Sequence, residues 1–291
     1  MYSYVRVKIT IFLIHIYKKI LEGICIHMGL DAYVECNCLK EGKAKPPPFD
    51  ISLVEWTDEG IDVSPTVDDE TYYLFVNWRK HACEHENFKY YHNRVANIAG
   101  SNFLFGVMQR LGREDYPLLN SIWNKPVDAV QAGKALEELN TLESKINVLQ
   151  GVFLGESQSQ KEYVKALPGD DSWFYAAGSE YTYRLNERGF YIVDRNSREL
   201  FRSMAFSQDV IDSQEEGRAH PLVRFQDNVT GYIHEASHPF STKTWGVDEL
   251  YYPTSLQVVI RELRSCDLPS VEVLRELFEA ALTTGNPIIW T

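Results

Sequence analysis

Apolar and polar positions alternate from Leu30 onward, with Leu30, Ala32, Val34, Cys36 and Cys38 on one side and Asp31, Tyr33, Glu35 and Asn37 on the other. A period of two predicts a half-buried strand, and Pro46, Pro47 and Pro48 then end it because proline donates no ladder hydrogen bond. The run TYYLFVNW, Thr71 to Trp78, is apolar throughout and predicts a second, fully buried strand. The period then changes. Val95, Ile98, Ala99, Leu104, Val107, Met108 and Leu111 recur at helical spacing, with Gly112 as a C-terminal stop. A second amphipathic helix is expected from Asp128 to Gln150, introduced by Pro126 and striped by Leu136, Leu139, Leu142, Ile146 and Leu149.

After Gly151 the pattern is that of short strands. Tyr181 to Phe206 predicts a three-stranded meander with turns at Asn186 to Gly189 and Arg195 to Ser197, and further strands are expected at Leu222 to Phe225 and Gly231 to Ile233. Two closing helices are expected, Thr254 to Arg264 and Val271 to Thr283, the second capped by Ser270 and stopped by Gly285. Strands and helices are segregated, which gives an α+β class with a mostly antiparallel sheet. The chain divides into a strand-plus-helices part, 28–150, and a meander followed by helices, 151–291, as one domain or two closely packed subdomains.

Composition adds limits. The 291 residues, 44% hydrophobic and 24% charged, are ordinary for a globular protein. A net charge of −12 opposes binding to nucleic acid and makes a basic protein the electrostatically easier partner. Residues 1–27 differ from the rest. Their apolar run, Ile9 to Tyr17, is shorter than the roughly 20 residues a membrane span needs, and lysines stand where an export signal wants small residues. They read as a non-native leader before a start at Met28. Five cysteines (Cys25, Cys36, Cys38, Cys83 and Cys266) without an export signal read as reduced thiols of a cytoplasmic protein, with no membrane partner.

Two groups of residues carry candidate chemistry. His234, Glu235 and His238 in HEASH have the spacing of a zinc peptidase, in which two histidines one helical turn apart bind the metal and the glutamate polarises its water. That chemistry needs a helix. Gly231 and Pro239 oppose one, so a loop or strand end with two ordinary histidines is expected; Glu249 and Glu262 are the available third ligands. The second group is Cys36, Cys38, Cys83 and His85. On extended segments residues i and i+2 point the same way, so Cys-x-Cys and Cys-x-His converge on one Cys3His site for Zn²⁺ if the two segments are neighbours. Otherwise Cys36 and Cys38 are small core residues. A nucleophilic Cys83 beside a histidine is the catalytic alternative. Phosphate-binding glycine loops and a nucleophile elbow are absent from the sequence.

The start MGLDAYVECNCLKEGKAKPPPFD, the later ACEHEN and the ending ALTTGNPIIW resemble a group of bacterial proteins that open with Met-Gly-Leu-Asp-Ala and a Cys-x-Cys. The resemblance covers the two ends, implies Met28 as the start, and brings no activity and no catalytic residue. Two function classes follow. One is a cytosolic acidic binding or regulatory protein that neutralises a basic protein partner, with the Cys/His group structural or metal-bound. The other is a zinc-dependent hydrolase using HEASH or the same Cys/His group.

Overall fold

The computed structural model describes residues 29–57, 60–123, 125–159, 161–177, 180–211, 222–243 and 250–291. The expected leader, the start at Met28, Cys25 and Glu249 lie outside them. Along the chain, β1 (Gly29–Glu35) is followed by the hairpin β2 (Val54–Thr57) and β3 (Gly60–Val63), then α1 (Asp69–His81), β4 (Lys89–Asn97), α2 (Ile98–Gly112) and α3 (Ala129–Lys145). A long run of strands comes next: β5 (Gln150–Glu156), β6 (Glu162–Ala166), β7 (Ser172–Ala177), β8 (Tyr181–Asn186), β9 (Gly189–Asp194), β10 (Glu199–Ser203), β11 (Ala205–Ile211), β12 (Leu222–Asp227) and β13 (Ile233–Ala236). The short pair β14 (Thr242–Lys243) and β15 (Leu250–Tyr251), then β16 (Ser255–Glu262), α4 (Pro269–Thr284) and β17 (Ile288–Trp290) complete an α+β fold with antiparallel sheets.

Three sheets organise most of the strands. Their strand orders are β17-β1-β4, β10-β9-β8-β7 and β13-β12-β11-β16-β5-β6. The first sheet and helices α2, α3 and α4 share one apolar core that includes Val34, Leu104, Leu139, Leu274 and Ile288. The other two sheets close on a second core rich in phenylalanine, in which Phe190 stacks on Phe206 at 4.5 Å between ring centroids. A third, small core holds Cys36, Cys38, Ile61, Phe75, Trp78 and Phe88. No helix among the described residues is long and apolar enough to cross a membrane.

The meander is present as expected, β8 to β10, and Asn186 and Gly189 face each other across its first turn. Gly189 has φ +124, and a Cβ there would lie 2.5 Å from the carbonyl oxygen of Ser203, so only glycine fits. The helix expected to Gln150 ends at Lys145, continues as one 3-10 turn, and gives way to β5; a capping box between Asp128 and Gln131 fixes its start.

Other expectations are corrected. TYYLFVNW is helical, inside α1. Asp68 caps that helix by accepting a hydrogen bond from Thr71 N at 2.7 Å, and acidic Asp69 and Glu70 at the start and basic Arg79, Lys80 and His81 at the end match the helix dipole. Only one stripe, Phe75 and Trp78, is buried, while Tyr73 is 69% exposed. The segment 254–264 is a strand, β16. Its consecutive β-branched residues Val258, Val259 and Ile260 suit a strand held between β11 and β5. Val95 belongs to β4, and α2 begins at Ile98 because Asn97 caps it. Ser270 is buried inside the first turn of α4, with Pro269 at its first position; Gly285, at φ 70, does stop the helix. The tail is a strand, with Ile288, Ile289 and Trp290 opposite Val34, Tyr33 and Ala32. β1 is therefore central in its sheet, and from Ala32 to Glu35 it is buried on both faces, while Asp31 on the polar face is exposed.

Candidate metal centre

β1 stops at Glu35, and the chain then turns tightly. Cys36 N donates to Phe88 O at 2.7 Å, and Lys43 N and Ala44 N both donate to Cys38 O. Those bonds hold the Cys-x-Cys segment against the loop that follows α1. That loop carries Cys83 and His85, between the last turn of α1 and a 3-10 turn in which Asn87 and Phe88 adopt positive φ. Trp78 clamps the two sides: its indole N–H donates to Lys45 O at 2.8 Å, and Lys45 N donates to Ala82 O at 2.7 Å. Phe49 and Phe88 pack edge-on against the same indole, which keeps the surroundings apolar.

Cys36, Cys38, Cys83 and His85 come together here, with one ligand atom from each lying within 4.8 Å of the others. The Sγ atoms of Cys36 and Cys83 are 3.8 Å apart, and Cys38 Sγ is 3.5 Å from His85 Nδ1. Cys36 and Cys38 are buried, whereas Cys83 and His85 are partly exposed at the rim. Burial pushes the thiols of Cys36 and Cys38 upward, and proximity to Cys83 adds to it. An ion entering the group would displace those protons. The four side chains can hold a metal ion, and this is the one such group among the described residues. Cys36 and Cys38 are at once buried core residues and members of the cluster. Their convergence arises from a strand end and a post-helix loop, not from two neighbouring strands. His85 directs Nδ1 at Cys38, not at Cys83, which departs from a Cys83–histidine nucleophile pair; His81 and His92 are exposed and outside the group.

HEASH lies elsewhere and is not helical. His234 and Glu235 belong to β13, the edge strand, opposite Phe225 and Arg224. Glu235 pairs with Arg224 at 3.1 Å, and His238 Nδ1 lies 2.8 Å from Ser237 Oγ while its carbonyl accepts from the Tyr183 hydroxyl. His234 sits between the rings of Tyr181 and Phe201, and its buried Nε2 has no hydrogen-bond partner among the described residues. Burial pushes its imidazole below the ordinary value. The motif therefore lacks the helical face that would aim two histidines at one ion. Compared with known proteins, the chain matches no family model, no curated protein and no solved structure.

Proposed function

We propose that this chain is a cytoplasmic acidic binding protein whose amino-terminal part is held together by a structural Zn²⁺ on Cys36, Cys38, Cys83 and His85. The observation that carries the zinc reading is the spacing. Tetrahedral zinc with Zn–S near 2.3 Å and Zn–N near 2.0–2.1 Å has S···S edges of about 3.8 Å and S···N edges of about 3.6 Å, beside separations of 3.8 Å and 3.5 Å in the protein. Three sulfurs and an imidazole favour zinc over hard cations. Four protein ligands close the coordination sphere and leave no position for a substrate or water, so the role is structural and the hydrolase reading is not favoured. Reduced thiols suit a reducing compartment.

The partner expected for a surface with net charge −12 is a basic protein, bound through contacts that weaken as salt rises. Elemental analysis of the purified full chain tests the zinc reading. One zinc per chain is expected, with Cys36→Ser reducing it severalfold and chelation lowering the melting temperature of the parent but not of the variant. A folded, metal-free protein with unchanged melting temperature in chelator would remove the metal and return the four residues to core packing.

A further inference from the structure

A second constellation lies at the edge of the six-stranded sheet. Lys165 stands on β6 opposite Phe153 of β5. Its Nζ lies over the ring of Phe103, 5.0 Å from the centroid, and donates to the backbone carbonyl of Asp267. The two nearby carboxylates are already engaged by another cation. Arg261 binds Glu162 through both oxygens at 2.8 Å and binds Asp267 at 2.7 Å, while its guanidinium covers the Phe153 ring at 3.7 Å. Lys165 is thus left facing a neutral acceptor. Burial pushes its ammonium below the ordinary value, against the raising effect of Asp267, Glu162 and Cys266.

Lys165 lines a cavity of about 210 Å³ together with Phe153, Glu162, Tyr163, Cys266 and Asp267. That volume is below the range usual for drug-sized ligands, so the occupant has only a few carbon atoms. With Lys165 as the free amine, Arg261 offsets one of the two carboxylates, and the remaining negative charge disfavours an anionic ligand. An amine that keeps one N–H on a carbonyl oxygen retains its lone pair for attack on carbon.

We propose that this cavity is a binding site for a small neutral aldehyde, captured by Lys165 as an imine. The nitrogen lone pair adds to the carbonyl carbon to give a carbinolamine. Loss of water then forms C=N as the C–O bond breaks, with both amine protons leaving in that water. No oxidant or reductant takes part, and hydrolysis reverses the step. The site is independent of the zinc reading and shares no residue with it.

The test is reductive trapping of the full chain, in a Cys266→Ser background that removes the neighbouring thiol, with propanal and cyanoborohydride at pH 7, followed by peptide mapping. Burial holds the Lys165 ammonium below the ordinary lysine value, so more of it is free amine at pH 7 and Lys165 is expected to label severalfold faster than the median lysine. Its rate should also saturate as propanal is raised, because binding precedes reaction. Labelling of Lys165 at the rate of the other lysines overturns the proposal, and so does fast labelling that stays linear in propanal. Lys165→Arg should remove the saturating component; if that variant does not fold, the map of the Cys266→Ser protein decides alone.

Discussion

His234 is half-buried, its Nε2 is buried with no hydrogen-bond partner among the described residues, and that has a consequence for acid stability. Its surroundings are the rings of Tyr181 and Phe201, with Glu235 the charged group acting on it. As pH falls through the ordinary imidazole value of 6.5, the unfolded side chain takes up a proton while the folded one resists. The unfolded state then binds more protons, so stability is present above pH 6.5 and is lost below it until the depressed folded value is reached. Urea midpoints at pH 7.5 and pH 5 should therefore differ more in the parent than in His234→Phe, which replaces the imidazole by a ring of similar shape. Equal differences would show that His234 does not titrate in this way. At this scale the sequence was informative about Cys36, Cys38, Cys83 and His85 through residue type, whereas the side-chain direction expected for residues two apart on a strand did not apply, because these residues lie past a strand end, in a turn and in a bend. The environment of His234 was not legible. It depends on Tyr181 and Phe201, brought in by separate strands of the second core.

At the scale of elements, α1 shows why an apolar run is an ambiguous signal. Eight mostly apolar residues from Thr71 to Trp78 satisfy a strand reading, yet the flanking charges, acidic before and basic after, already carried the helical one. Tyr72 and Tyr73 are large but amphipathic, and both are exposed. β16 erred in the opposite direction, since its helix-like spacing outweighed three consecutive β-branched residues. β17 is three residues long and has no periodicity to detect; only its pairing with β1 makes it a strand. The cap of α1 offers a separable test. Asp68→Ala removes the hydrogen bond to Thr71 N and should lower the denaturant midpoint of unfolding. Cys83 and His85 follow the opposite end of the helix, so zinc content should stay at the parent value. A fall in zinc content as large as that of Cys36→Ser would mean that the whole helix, not its first turn, depends on the cap.

On the scale of the whole molecule, the loop that carries Cys36 and Cys38 is tied to residues far along the chain. Asn286, just after α4, is buried and donates to Glu35 O at 2.8 Å and to Asn37 Oδ1 at 3.0 Å, and it accepts from Lys40. Asn37 in turn donates to Thr284 O at 2.6 Å. Neither asparagine stands out in the sequence, because their role comes from two segments meeting across the fold.

Asn286 and Glu35 are 251 positions apart, which orders events in time. During synthesis the ribosome delivers Cys36, Cys38, Cys83 and His85 early, whereas β17 and Asn286 emerge only after some two hundred further residues, so β1 waits with one edge bare and the loop unclamped. Newborn chains are accordingly the vulnerable ones. A chelator pulse during expression should reduce the recovery of newly labelled soluble protein at concentrations that leave finished molecules intact, as pulse-labelling would measure. Equal loss from both pools would place the metal's contribution in the mature fold alone, and the bare edge of β1 would then be a hazard that other parts of the nascent chain cover.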